Sequence, residues 1–159
     1  MFKTLQREIQ RKLAKKRKDY GELDEPIVAL IDDYVYITDN AFQLFVIPKE
    51  HYILDFTFDN TMNELKMKSV TNQVFRNTSV SFYENGLVTF GKHSLNLVRF
   101  CGNGVTMYFN VPRLKRFSNN FSELVLKGNG EKLSPVAVYK RGTFVGIITP
   151  VNYTESDII

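Results

Sequence analysis

IVALIDDYVYITDNAFQLFVI, residues 27–47, holds three apolar runs, 27–31, 34–38 and 41–47, separated by Asp32-Asp33 and Asp39-Asn40. The runs are rich in β-branched and aromatic residues, and two-residue links of this type close tight hairpins. The stretch therefore reads as a meander of three antiparallel strands, and it sets the fold class as α+β with a mostly antiparallel sheet. Upstream, GELDEP (21–26) ends a helix and opens an extended segment. Downstream, YILDFTF (52–58) alternates as a further strand, and Met62, Leu65, Val70 and Val74 give a short helix with a poor repeat.

The second half follows the same grammar. SVSFY (79–83) and LVTF (87–90) flank Glu84-Asn85-Gly86, and LNLVRF (95–100) and VTMYFNV (105–111) flank CGNG (101–104), so each pair reads as a hairpin. Pro112 suits the first turn of a helix, and RLKRF (113–117) supplies one to two turns before SELVLK (122–127) resumes the strand pattern. SPVAVYK (134–140) and TFVGIITPV (143–151), joined by Arg141-Gly142, form a last hairpin. Residues 2–47 and, with a leading strand, 105–151 thus share one order, a helix followed by three strands. The repeat is one of topology and not of sequence. A single domain is expected over 1–151, with 152–159 as a flexible tail; a chain of 159 residues can bury about 68–70% of its unfolded surface in one core.

Charge is distributed unevenly. The first 18 residues carry eight Lys and Arg against Glu8 alone, about +7, which leaves thirteen cations against sixteen anions, −3, in the remainder. Phe2, Leu5, Ile9 and Leu13 mark one face of an α-helix, and Lys3, Arg7, Arg11, Lys12, Lys15, Lys16, Arg17 and Lys18 take most of the other surface. A face of this kind suits phosphate contact; an anionic membrane surface, an acidic protein or plain solvation are the alternatives. No apolar run approaches the ~20 residues of a membrane span and no secretory core follows the charges, so a cytoplasmic protein is expected.

The closing segment TMYFNVPRLKRFSNNFSELVLKGNGEKLSPVAVYKRGTFVGIITPV resembles the last repeat of the bacterial DNA polymerase sliding clamp, the β subunit. The resemblance lies in the strand running into Val111-Pro112, the helix from Arg113 to Phe117, the strand start Ser134-Pro135-Val136 and the ending Ile148-Thr149-Pro150-Val151. Near the N-terminus, Glu25-Pro26-Ile27 and Ile37-Thr38-Asp39-Asn40-Ala41-Phe42 look like the clamp's recurrent strand start and its threonine-aspartate-glycine turn. About two thirds of the chain is covered; residues 59–104 have no counterpart, and a clamp subunit has three such domains where this chain has room for one.

The resemblance implies a single-domain relative, of a phage or mobile element, that binds DNA without reading its sequence and closes a ring only as a homo-oligomer. It implies that Arg7, Arg11, Lys12, Lys15, Lys16, Arg17 and Lys18, with Arg113, Lys115 and Arg116 as companions, face the phosphates. Ile148, Pro150 and Val151 would then line a groove for a partner peptide. The partner of the basic helix is then DNA or a DNA-bound protein. The rival reading is a phage or mobile-element interaction or inhibitor protein that binds a host protein in place of DNA.

Chemistry-bearing residues are sparse. Cys101 is the only cysteine, and His51 and His93 stand far apart, so neither a disulfide framework nor a typical zinc site is expected. Asp32, Asp33, Asp39 and Asp55 could hold a divalent cation, but turn preference accounts for the first three. GNGEK (128–132) does not meet the phosphate-loop pattern and reads as a turn. Among Tyr34, Tyr36, Phe42 and Phe45, alternate rings must enter the core, and any exposed one could stack on a base. No enzymatic activity, metal or cofactor is expected.

Overall fold

In the computed structural model, which describes residues 1–13, 27–38, 43–56, 58, 64–90 and 95–152, the meander is present as β1 (Ile27–Ile31), β2 (Tyr34–Thr38) and β3 (Gln43–Pro48). Its apolar runs are almost unbroken because both faces are covered. Val28, Val35, Ile37, Phe45 and Ile47 enter one buried cluster, while Ala29, Ile31, Tyr36, Leu44 and Val46 enter a second on the opposite face. Successive residues of a strand point to opposite faces, so two clusters fed alternately are what a doubly covered sheet requires. Asp32, with φ of 54°, makes the β1–β2 link.

The sheet continues through β4 (Val80–Phe90), β5 (Leu95–Gly102), β6 (Val105–Asn110), β7 (Leu124–Gly128), β8 (Val136–Lys140) and β9 (Thr143–Ile148). All pairings are antiparallel, in the order β1-β2-β3-β9-β8-β7-β4-β5-β6. Val28 and Val35 from one end share a single cluster with Phe100 and Phe109 from the other, so the sheet curls until its ends face a common interior. At Gly146 a side chain would collide with the Leu44 carbonyl oxygen and the Phe117 ring; only glycine lets β9 close against β3 here.

Helix α1 (Phe2–Leu13) lies with its apolar side in that interior, where Leu5 and Ile9 are buried. Helix α2 (Glu64–Phe75) covers the other face through Met67 and Val74. The third helix, α3 (Val111–Leu114), is one turn long, shorter than the expected 113–117. Asn110 accepts a hydrogen bond from the Arg113 amide as its N-cap, and Pro112 stands in the first turn as expected.

Two expected elements differ. Residues 79–90 are not a hairpin: β4 is one strand, and Asn85 and Gly86 form a bulge opposite β5, where the register shifts between Glu84 and Leu87. Gly86, with φ of 94°, supplies the left-handed backbone, and the bend lets Val80–Phe82 pair with β7 while the rest pairs with β5. Residues 52–56 are not in a strand. Their backbone is held instead by Gln6, wholly buried on α1, whose Nε2 donates to the His51 carbonyl at 2.6 Å and whose Oε1 accepts from the Ile53 amide at 2.7 Å. A side-chain amide thus does what a neighbouring strand would otherwise do.

Replacing Gln6 with Ala leaves two backbone groups of the 51–53 segment without their partner. Gln6→Ala is expected to lower the unfolding free energy in urea by about 2 kcal/mol; a loss below about 0.5 kcal/mol, the range of ordinary surface changes, would show that Gln6 does not hold this segment.

Candidate nucleic-acid interface

With Leu5, Gln6 and Ile9 turned inward, geometry fixes what α1 shows to solvent. Lys3, Arg7 and Arg11 are exposed at successive four-residue steps, one ridge along the helix. The ridge has a single counter-charge among the described residues: Glu8, mostly covered, accepts from Arg11 at 2.9 Å. The first turn of α1 contains no acid and carries Lys3, although the positive end of a helix favours anions. That mismatch costs about 0.3–1 kcal/mol, whereas burying Leu5 and Ile9 contributes about 1.5–3 kcal/mol each. Packing therefore holds a helix whose charge placement works against it.

Lys12 belongs to α1. Lys15, Lys16, Arg17 and Lys18, like Asp39, Phe42 and His93, lie outside the described residues. The expected companions on α3 need correction. Arg113 and Arg116 are only 9% and 8% exposed, and the buried Gln43 sits between them; with its amide oriented to match both neighbours, its nitrogen donates to the Arg113 carbonyl at 3.2 Å and its oxygen accepts from Arg116 Nη1 at 3.0 Å. Arg113 in α3 and Arg116 just beyond it both turn against Gln43 of β3, and of the three only Lys115 is exposed.

The expected partner groove is also taken up by the fold itself. Ile148 is core, Pro150 is buried, and Val151 packs on the cluster of Val88, Leu97 and Tyr108 while its amide donates to the Tyr108 carbonyl at 2.8 Å.

Other candidates resolve locally. Asp32 pairs with Lys68 at 3.1 Å, the Asp33 carbonyl accepts from the Lys49 amide, and Asp55 is exposed. Within GNGEK, the Asn129 side chain accepts from the Glu131 amide and Gly130 has φ of 88°, the geometry of a turn. Cys101 is half-buried, with Asn85 Nδ2 3.2 Å from its sulfur. His51 is exposed and its ring stacks on Phe2 at 5.3 Å. Tyr36 and Phe45 are core, whereas Tyr34 is 47% exposed. Burial of Tyr36 raises its pKa above the ordinary tyrosine value, an effect that Lys68 opposes and Asp32 adds to. No three His, Cys, Asp or Glu side chains converge among the described residues. No described helix is long and apolar enough to cross a membrane.

No protein-family model, curated protein or solved structure matches the chain.

The two kinds of cation should separate in experiment. Arg116→Gln is expected to lower stability by about 1–3 kcal/mol through loss of a buried hydrogen bond, while Lys115→Gln stays within about 0.5 kcal/mol. Urea unfolding of both variants is the check, and equal stabilities would contradict an internal role for Arg116.

Proposed function

We propose that this protein is a non-catalytic binding module that contacts DNA phosphates, without reading sequence, through the basic face of α1. The observation that carries this reading is the ridge of Lys3, Arg7 and Arg11 on a helix whose opposite face is locked into the core. Charges on a fixed helix lose little conformational freedom beyond their own rotamers when they meet a polyanion, and each phosphate neutralised releases condensed counterions. The concentration of +7 in the first 18 residues, against −3 elsewhere, supports a single contact surface. Lys12, Lys15, Lys16, Arg17 and Lys18 extend the same basic run in sequence. A sliding-clamp-like role enters only in this reduced form, with α1 alone and without Arg113 and Arg116.

Binding of a labelled duplex, followed by fluorescence polarisation across a salt series, should weaken along a straight line of log affinity against log salt. Replacing Lys3, Arg7 and Arg11 together with Gln should reduce the magnitude of that slope by about 2 to 3. An unchanged slope would remove α1 from the interface.

A further inference from the structure

At the N-terminal end of α1 lies an aromatic cleft of about 350 Å³, within the size range of small-ligand sites. It is lined by Phe2 of α1, Tyr34 and Tyr36 of β2, Val46 of β3, Phe75 of α2 and Phe144 of β9. Two of these rings are accessible, Tyr34 at 47% and Phe75 at 43% exposed. Phe75 is braced by Phe144, with ring centroids 4.4 Å apart. Phe2 belongs to both features, because it lines the cleft and is followed directly by Lys3, the first cation of the α1 ridge.

Charge distinguishes the two halves of this surface. None of the residues that line the cleft is charged, and the Asp32–Lys68 pair that acts on Tyr36 is closed on itself at 3.1 Å, so a neutral, flat, polarisable group finds contact with several rings there. The ridge from Lys3 to Arg11 runs about 12 Å along the helix axis. A strand laid along it keeps its phosphates on the cations and brings one base to the cleft. A base inside a duplex is stacked and paired and cannot enter; an unpaired base can.

We propose that the cleft lined by Phe2, Tyr34, Phe75 and Phe144 receives an unstacked nucleobase of a single-stranded nucleic acid whose backbone lies on the Lys3–Arg7–Arg11 ridge. This rests on the reading of α1 as a phosphate-binding face and adds the form of nucleic acid preferred. The cleft supplies no sequence code, since every base has a face to stack.

The test compares three labelled probes on the full chain by fluorescence polarisation: oligothymidylate, an abasic strand with the same number of phosphates, and a duplex. Oligothymidylate should bind roughly ten-fold tighter than the abasic strand. Tyr34→Ala and Phe75→Ala, both at exposed rings, should each reduce that preference while leaving affinity for the abasic strand unchanged; circular dichroism verifies that each variant is folded. Equal affinity for the two strands, or a preference untouched by both substitutions, overturns the cleft as a base site and leaves the basic ridge standing. Binding of the duplex alone has the same effect. Absence of binding to all three probes overturns the ridge as well.

Discussion

A sheet that is apolar on both faces needs a cover on both faces, and this requirement organises the molecule. Strands β1 to β3 feed alternate residues into two clusters, so neither face can meet water. The curl of the sheet supplies part of one cover by bringing β5 and β6 round to the interior shared with β1 and β2. The rest of that interior is closed by Leu5 and Ile9 of α1, and the outer face is closed by Met67 and Val74 of α2. Bulk apolar burial of this kind is non-directional, however, and does not by itself set where a helix stops along its groove. The Gln6 amide, bonded on both sides to the 51–53 backbone, supplies the direction, because its geometry tolerates little sliding or rotation of α1.

Much of this was legible in residues 27–47 and 105–151, where hydrophobic period and turn chemistry agree. The β1–β2 and β8–β9 links form as read, with positive φ at Asp32 and at Arg141 and Gly142; the β5–β6 hairpin also forms, but its link is only Asn103-Gly104, both at positive φ, because Cys101 and Gly102 extend β5. The misreadings share one cause: a local pattern reports a local property and leaves its partner open. Glu84-Asn85-Gly86 does signal a left-handed residue, but a bulge needs one as much as a hairpin does. In 52–56 burial alternates, with Leu54 buried between exposed Ile53 and Asp55, so the period is real although no ladder forms there. The segment's polar partner is a glutamine 47 residues away, and no periodicity can encode that.

The candidate site divides in the same way. That α1 is amphipathic and basic follows from residue spacing alone, and Lys3, Arg7 and Arg11 are exposed because Leu5, Gln6 and Ile9 are turned to the core. Arg113 and Arg116 carried the same formal charge in the sequence but lie against Gln43, at a place where the chain has one turn of helix and no room to rotate. Charge is a property of the residue, while its availability depends on packing. The aromatic cleft was hidden for a related reason: its lining comes from five elements far apart in sequence, and Tyr34, Tyr36 and Phe75 each had a sufficient local role as strand or helix residues.

Concentrating the charge has a physical consequence that a uniform +4 would not have. Interactions between exposed charges fade beyond a Debye length of about 10 Å at 0.1 M salt, so the field close to α1 is set mainly by the charges on the helix itself. At lower ionic strength the range lengthens. The exposed cations Lys3, Arg7 and Arg11 are held at a fixed place on the body. Leu5, Ile9 and Gln6 provide this, since the three inward positions that cover the core also determine the three outward positions that carry the charge. Any substitution that loosens α1 from the sheet therefore acts on stability and on the electrostatic face together, although it removes no charge.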